Sequence, residues 1–212
     1  MTHLLKRIAE TAELLYLHFA VKIYERIHQR QVRKLFYHDP LFRACDKALL
    51  RGPNPYRLKE AFTYGETPLC SLKQLADRFG LSPHDRVVDL GCGRGRGVFF
   101  LSHHYGCQAH GVDLVPQFIS KAQGLAREYQ LNRVTFSCGD LKHYDFSQAT
   151  FVFFYATTFS EPFLEELSTS LQALPKGSKI VTVSAPLKGY AVFDQWSVSF
   201  PWGEGEVFLQ SK

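Results

Sequence analysis

The chain has 212 residues, 45% of them hydrophobic and 14% aromatic, which suits one α/β domain with an extension and excludes a disordered chain. Its formal charge of +5 comes from the front, because residues 1–60 hold 12 Lys or Arg against 6 Asp or Glu and residues 61–212 hold 13 against 14. The chain therefore divides into a basic helical extension, 1–60, and a near-neutral domain, 61–212. The five cysteines form no Cys-x-x-Cys pair and the nine histidines no His-Glu-x-x-His pattern, so no metal site is expected and the thiols read as free and buried. No apolar run reaches the roughly 18 residues that a membrane helix needs, and the N-terminus lacks the features of a secretory signal, so a cytoplasmic-type soluble protein is expected.

In the extension nothing breaks a helix between about Thr11 and Val32, and Leu5, Ile8, Ala12, Leu15, Phe19 and Ile23 recur on one helical face. Arg26, Arg30 and Arg33 continue along it. Such a helix docks on the domain with a solvated basic end, or offers that end to an acidic partner. Contact with a membrane surface is a third reading, since Leu14 to Ile23 is strongly apolar. Arg51-Gly-Pro-Asn-Pro55 reads as a hinge.

The domain opens on a helix from Leu69 to about Arg78 and then alternates. Strands are expected at Arg86 to Leu90, Gln108 to Val112, Val134 to Ser137, Thr150 to Tyr155 and Ile180 to Ser184, with helices from Gly97 to Tyr105, Pro116 to Tyr129 and Glu161 to Leu174. Two late runs, Ser197 to Phe200 and Glu206 to Leu209, read as a closing hairpin. The alternation specifies a doubly wound, mostly parallel sheet with helices on both faces and ligands at the carboxyl ends of the strands.

The chemistry concentrates in Arg86-Val-Val-Asp-Leu-Gly-Cys-Gly-Arg-Gly-Arg-Gly97, where a buried strand, an acid and a glycine turn follow one another. Glycines at 91, 93, 95 and 97 let backbone approach a ligand closely. The Gly-x-Gly-x-x-Gly spacing of dinucleotide enzymes fails, because its third position falls on Arg96 or Val98. Asp89, directly ahead of the turn, would repel a pyrophosphate and suits a cationic ligand. Asp113, after the second strand, is placed to accept the two hydroxyls of a ribose.

This pattern resembles the first motif of class I S-adenosylmethionine-dependent methyltransferases, which have a Rossmann-like seven-stranded fold. The resemblance implies S-adenosylmethionine as cofactor, with Asp89, Gly91, Gly93, Gly95 and Asp113 around it and Asp140 and Leu141 of Cys138-Gly-Asp-Leu141 at the adenine. The strand-four sequence Phe153-Phe-Tyr-Ala-Thr-Thr-Phe159 carries neither the Asn/Asp-Pro-Pro-aromatic motif of amino-adenine enzymes nor the metal-binding acids of catechol-type ones. Tyr155, Thr157 and Thr158 are left as candidates to orient the methyl acceptor.

With its flanks included, the chain is similar to the non-SET histone-lysine methyltransferases of the disruptor-of-telomeric-silencing family. The likeness runs through Tyr64-Gly-Glu-Thr67, Gly139-Asp-Leu141, Lys176-Gly-Ser-Lys-Ile-Val181, Ser184-Ala-Pro-Leu187 and Val207-Phe-Leu209. It implies that Tyr64, Glu66 and Thr67 form a loop over the cofactor's methionine part, and that Phe200 and Phe208 line a lysine channel. The family's paired asparagines are replaced by Tyr155-Ala156. A second likeness is to mitochondrial seven-strand lysine methyltransferases with an apolar N-terminal helix. Methylation of a protein lysine is therefore expected, with a small-molecule O- or N-methyltransferase and a non-catalytic binding module as alternatives. A nucleic-acid substrate is not expected, because the domain offers no basic groove.

Overall fold

The computed structural model describes residues 67–157, 159–200 and 203–212, together with Phe19 and Ile23, which are helical. The remaining extension, the hinge and the boundary near residue 60 lie outside the described residues. Phe19 and Ile23, expected on the docked face of the leading helix, are both exposed.

Helix α1 (Leu69–Arg78) precedes strand β1 (Arg86–Leu90), and the chain then alternates through α2 (Arg96–Tyr105), β2 (Gln108–Asp113), α3 (Pro116–Glu128) and β3 (Val134–Cys138). A 3-10 turn, Leu141–His143, leads to β4 (Phe151–Tyr155), α4 (Glu161–Ser170) and β5 (Lys179–Val183). The hairpin of β6 (Ala191–Phe200) and β7 (Gly203–Ser211) closes the domain. The seven strands lie in the order β3-β2-β1-β4-β5-β7-β6. The first five are parallel, and β7 runs antiparallel between β5 and β6. This is the doubly wound arrangement that the alternation specified, with its topological switch between β1 and β4.

Strand parity sorts the core into two layers. Val87, Phe151, Phe153, Val181, Val183, Val207 and Leu209 pack under α1, α2 and α3. Val88, Leu90, Val152, Phe154 and Ile180 face the other way, against Leu167 and Leu171. Strands buried on both faces read as continuous apolar runs, and all four residues of Phe151-Val-Phe-Phe154 are buried.

The differences from the expected elements have local causes. Helix α4 stops at Ser170 and tightens into a 3-10 turn, Leu171–Ala173. Ser168, Thr169 and Ser170 each donate a side-chain hydrogen bond to the carbonyl four residues back, which weakens the helical ladder there. Strand β6 begins six residues earlier than expected. Its first half is an exposed sheet edge, with a register shift between Val192 and Asp194, so no apolar alternation marks it. Of the cysteines, Cys70, Cys92 and Cys107 are buried, whereas Cys138 is exposed because β3 is the other sheet edge.

The short link from β5 to β6 is tied down by Gln210, which is fully buried on β7. Its amide accepts from the Leu187 N–H at 2.8 Å and donates to the carbonyls of Leu187 and Tyr190 at 2.8 and 3.0 Å. Gln210→Ala strands these main-chain groups in a dry layer, and a loss of about 3 kcal/mol in urea unfolding is expected.

Candidate active site

Strand β1 delivers Asp89 to the carboxyl edge of the sheet on the α1–α3 side, and the chain turns at once. Gly91 and Cys92 both donate to the Val112 carbonyl, at 2.9 and 3.0 Å, which pins the turn to β2. Gly91, Gly93 and Gly95 have φ of 77°, 54° and 79°, a left-handed run that glycine adopts without strain. Their free space differs. A Cβ on Gly95 would meet the Phe136 ring at 2.5 Å, and one on Gly97 would stand 3.1 Å from Asp89 Oδ2, whereas one on Gly91 would meet nothing within 4 Å. Packing therefore requires Gly95 and constrains Gly97, while Gly91 opens onto the space above the strand ends.

Asp89 is 8% exposed. Burial, with the neighbouring Asp113 carboxylate adding to it, pushes its pKa from an ordinary 3.8 up to about 7. Asp113 is also raised by burial, opposed by main-chain donors at Val115, Gly93 and Leu114. Its Oδ2 accepts from the Gly93 N–H at 2.8 Å and its Oδ1 from the Val115 N–H at 2.9 Å. One carboxylate thus holds the glycine turn to the end of β2, with lone pairs left for further donors. Cys92 lies beneath, its thiol raised well above its ordinary range by burial and both acids, so it is an inert packing group.

The other expected residues distribute as follows. Asp140 caps the 3-10 turn by accepting from the Lys142 N–H at 3.0 Å. The Leu141 side chain is buried in the layer under α4. Thr67 directly precedes Pro68, the N-cap of α1, and that helix reaches the glycine turn through Leu72. Tyr64, Glu66 and Thr158 lie outside the described residues.

Leu90 of β1 pairs with Phe154 of β4, so Gly91 and Tyr155 emerge side by side at the switch point. The Tyr155 and Phe200 rings meet edge-on at 5.6 Å. Phe200 rests on Gly205, where a Cβ would stand 2.7 Å from its ring. Phe208 does not join them. It pairs with Thr182, which puts it on the opposite face of the sheet from Val207 and Phe200, so these two phenylalanines do not line one channel. Thr157 shares a 2.9 Å hydrogen bond with Ser184 at the end of β5.

Two residues at this edge escaped the sequence reading. Leu114 follows Asp113 and is 54% exposed, an apolar side chain where a solvated loop residue is ordinary. Ser184 has φ 79°. The first carries a faint sequence signal, an apolar residue after a strand-end acid; the second is marked only as a strand end and the start of Ser184-Ala-Pro-Leu187, with nothing to signal its backbone.

A family profile described as "ANTKMT methyltransferase domain" matches residues 89–193, from the acid of β1 into β6. An RNA methyltransferase from Salinibacter ruber, solved with S-adenosyl-L-homocysteine, superposes with a TM-score of 0.58 at 24% identity, over 69% of this chain and 92% of that one. Profile match and fold together support a class I S-adenosylmethionine-dependent methyltransferase. Among curated relatives, phosphoethanolamine N-methyltransferase of Plasmodium falciparum is 25% identical over 100 residues, which is 45% of this chain and 37% of that protein. Sterol 24-C-methyltransferase of Schizosaccharomyces pombe is 34% identical over 94 residues, 43% of this chain and 25% of that protein. The matches thus span about a third or less of these relatives' lengths.

For a class I methyltransferase, a buried acid that titrates near neutrality has two consequences. Between about pH 4 and 7 the folded chain keeps on Asp89 a proton that the unfolded chain has lost, so the ligand-free protein loses stability as pH rises through that window. A cation bound beside Asp89 favours its carboxylate, so binding below pH 7 expels the proton. Titration of S-adenosylmethionine at pH 6, in buffers of different ionisation enthalpy, is expected to report release of close to one proton; no release would contradict the assignment.

Proposed function

We propose that this domain transfers a methyl group from S-adenosylmethionine to the side-chain amine of a protein lysine. The observation that carries the reading is the acceptor side: Tyr155 ends β4 at the switch point beside the open face of Gly91, with the buried Phe200 ring edge-on behind it. The links around it are short among the described residues, with α4 beginning at Glu161 soon after β4 and β5 leading to β6 through residues 184–190. An enzyme for a small acceptor commonly encloses it. An edge with short links suits a residue presented by another macromolecule.

Asp89, Gly91, Gly93 and Asp113 would hold the donor, with the Asp89 carboxylate near its positive charge, Asp113 toward the ribose, and the exposed Leu114 against the base. Gly95 would support this cradle through its packing on Phe136, and Asp140 and Leu141 would border the adenine. Tyr64, Glu66 and Thr67 are assigned the loop over the methionine part. When bound, the donor supplies a methyl carbon whose bond to sulfur breaks as the amine lone pair bonds to it, the electron pair leaving with sulfur. The chain's part is alignment and exclusion of water, with no general acid needed at the sulfur. The half-buried Tyr155 ring, backed by Phe200, receives the apolar lysine stem; loss of water there disfavours the ammonium form, so the amine gives its proton to solvent water before it attacks, and the methylated product carries the positive charge. Thr157 and Thr158 are the hydroxyl candidates for orienting it. The basic extension, 1–60, is assigned to docking the target.

A small-molecule acceptor is the second reading, and the curated relatives favour it, since those named above are an N-methyltransferase of phosphoethanolamine and a sterol C-methyltransferase. Incubation of the full chain with methyl-labelled S-adenosylmethionine and lysate separates the two. Label on protein, placed on lysine by mass spectrometry, is expected. Label found only in small molecules would replace the lysine reading with the second one.

A further inference from the structure

Ser184, the first residue beyond β5, adopts φ 79°, in the left-handed region that residues with a Cβ avoid. Gln130 is the other described non-glycine residue with positive φ, and it has an ordinary reason: it terminates α3, with its N–H on the Arg127 carbonyl and that of Leu131 on the Ala126 carbonyl. No helix ends at Ser184. It is held on one side by its N–H donating to the Glu206 carbonyl at 2.7 Å, and on the other by the 2.9 Å bond between its hydroxyl and that of Thr157. A glycine would take this backbone without strain, so what serine adds at the position is the hydroxyl, and that hydroxyl is spent on Thr157.

Both residues are exposed at the carboxyl edge of the sheet. Thr157 lies two residues beyond Tyr155, and Ser184 directly follows Val183, the strand partner of Tyr155. The hydroxyl pair therefore lies at the same strand ends as Tyr155. In an O–H···O pair one oxygen has committed its hydrogen and presents lone pairs outward, an arrangement that takes up an N–H donor. A neutral amine needs such an acceptor: its lone pair must point at the methyl carbon, and its N–H bonds must then be directed elsewhere.

We infer that Ser184 is a positioning residue for the acceptor: it fixes the Thr157 hydroxyl so that the pair receives an N–H of the incoming amine beside Tyr155. This rests on the amine reading above. It adds a selection against acceptors without a hydrogen to donate.

The test compares the full chain with Ser184→Gly, Thr157→Val, the double variant and Thr157→Ser. Label transfer from S-adenosylmethionine to poly-L-lysine and to n-butylamine is measured, with cofactor affinity and melting temperature alongside. Ser184→Gly is expected to melt at or above wild type, since glycine relieves the left-handed strain, and to bind cofactor unchanged. Its kcat/KM for the amine should fall about 10-fold, as for a misaligned nucleophile. Thr157→Val should fall by a similar factor and the double variant no further, the behaviour of residues acting as a unit, while Thr157→Ser, which keeps the hydroxyl, should stay near wild type. An active wild type with Ser184→Gly equally active overturns the role of Ser184 alone, and so do losses that add in the double variant. A wild type that binds cofactor and labels neither these amines nor any protein lysine in lysate overturns the lysine reading and this inference with it; label on lysate lysine alone moves the variant comparison to that protein, where equal activity of Ser184→Gly overturns the role of Ser184.

Discussion

The site depends on keeping a carboxyl group almost dry at the end of the central strand. Asp89 is buried beneath the glycine turn, and the field of Asp113 adds to the cost of ionising it. The turn is built around that cost. Gly97 leaves room for the Asp89 carboxylate, and Asp113 spends its oxygens on the main-chain donors of Gly93 and Val115. A buried acid beside a second carboxylate has a physical use where a cation is to be bound, because the cation recovers what burial cost. The same arrangement works against a pyrophosphate.

From Asp89 the geometry extends sideways through the sheet. The pairing of Leu90 with Phe154 puts Gly91, proposed for the donor, against Tyr155, proposed for the acceptor. The antiparallel return of β7 then brings Gly205 under Phe200, and the edge-on contact of Phe200 with Tyr155 follows. Short connections leave this edge accessible among the described residues. The proposed acceptor side is thus a product of strand order, with few side chains dedicated to it.

Much of this architecture was legible in the sequence, and the exceptions have physical reasons. Strands buried on both faces announce themselves, so β1, β4 and β5 fall within a residue of expectation. The bulged edge of β6 does not, because an exposed edge imposes no apolar pattern. The four alternating glycines read as one ligand loop, yet only coordinates separate Gly91, which faces open space, from Gly95, which Phe136 fills. Phe200 and Phe208 both lie in the closing hairpin, and the parity of the β5–β7–β6 pairing puts them on opposite faces. Ser184 was illegible because a residue type does not declare its φ. The Tyr64–Thr67 loop, Thr158 and the extension fall wholly or largely outside the described residues.

The central claim is that the Asp89 carboxylate selects a cationic methyl donor. The direct measurement is the affinity of S-adenosylmethionine for wild type and for Asp89→Asn at pH 8, with circular dichroism confirming that both are folded. The asparagine keeps the shape and removes the charge, so binding is predicted to weaken at least about 10-fold, the equivalent of one charge-assisted contact. Equal affinity in the two proteins, or no binding by wild type, would contradict the account.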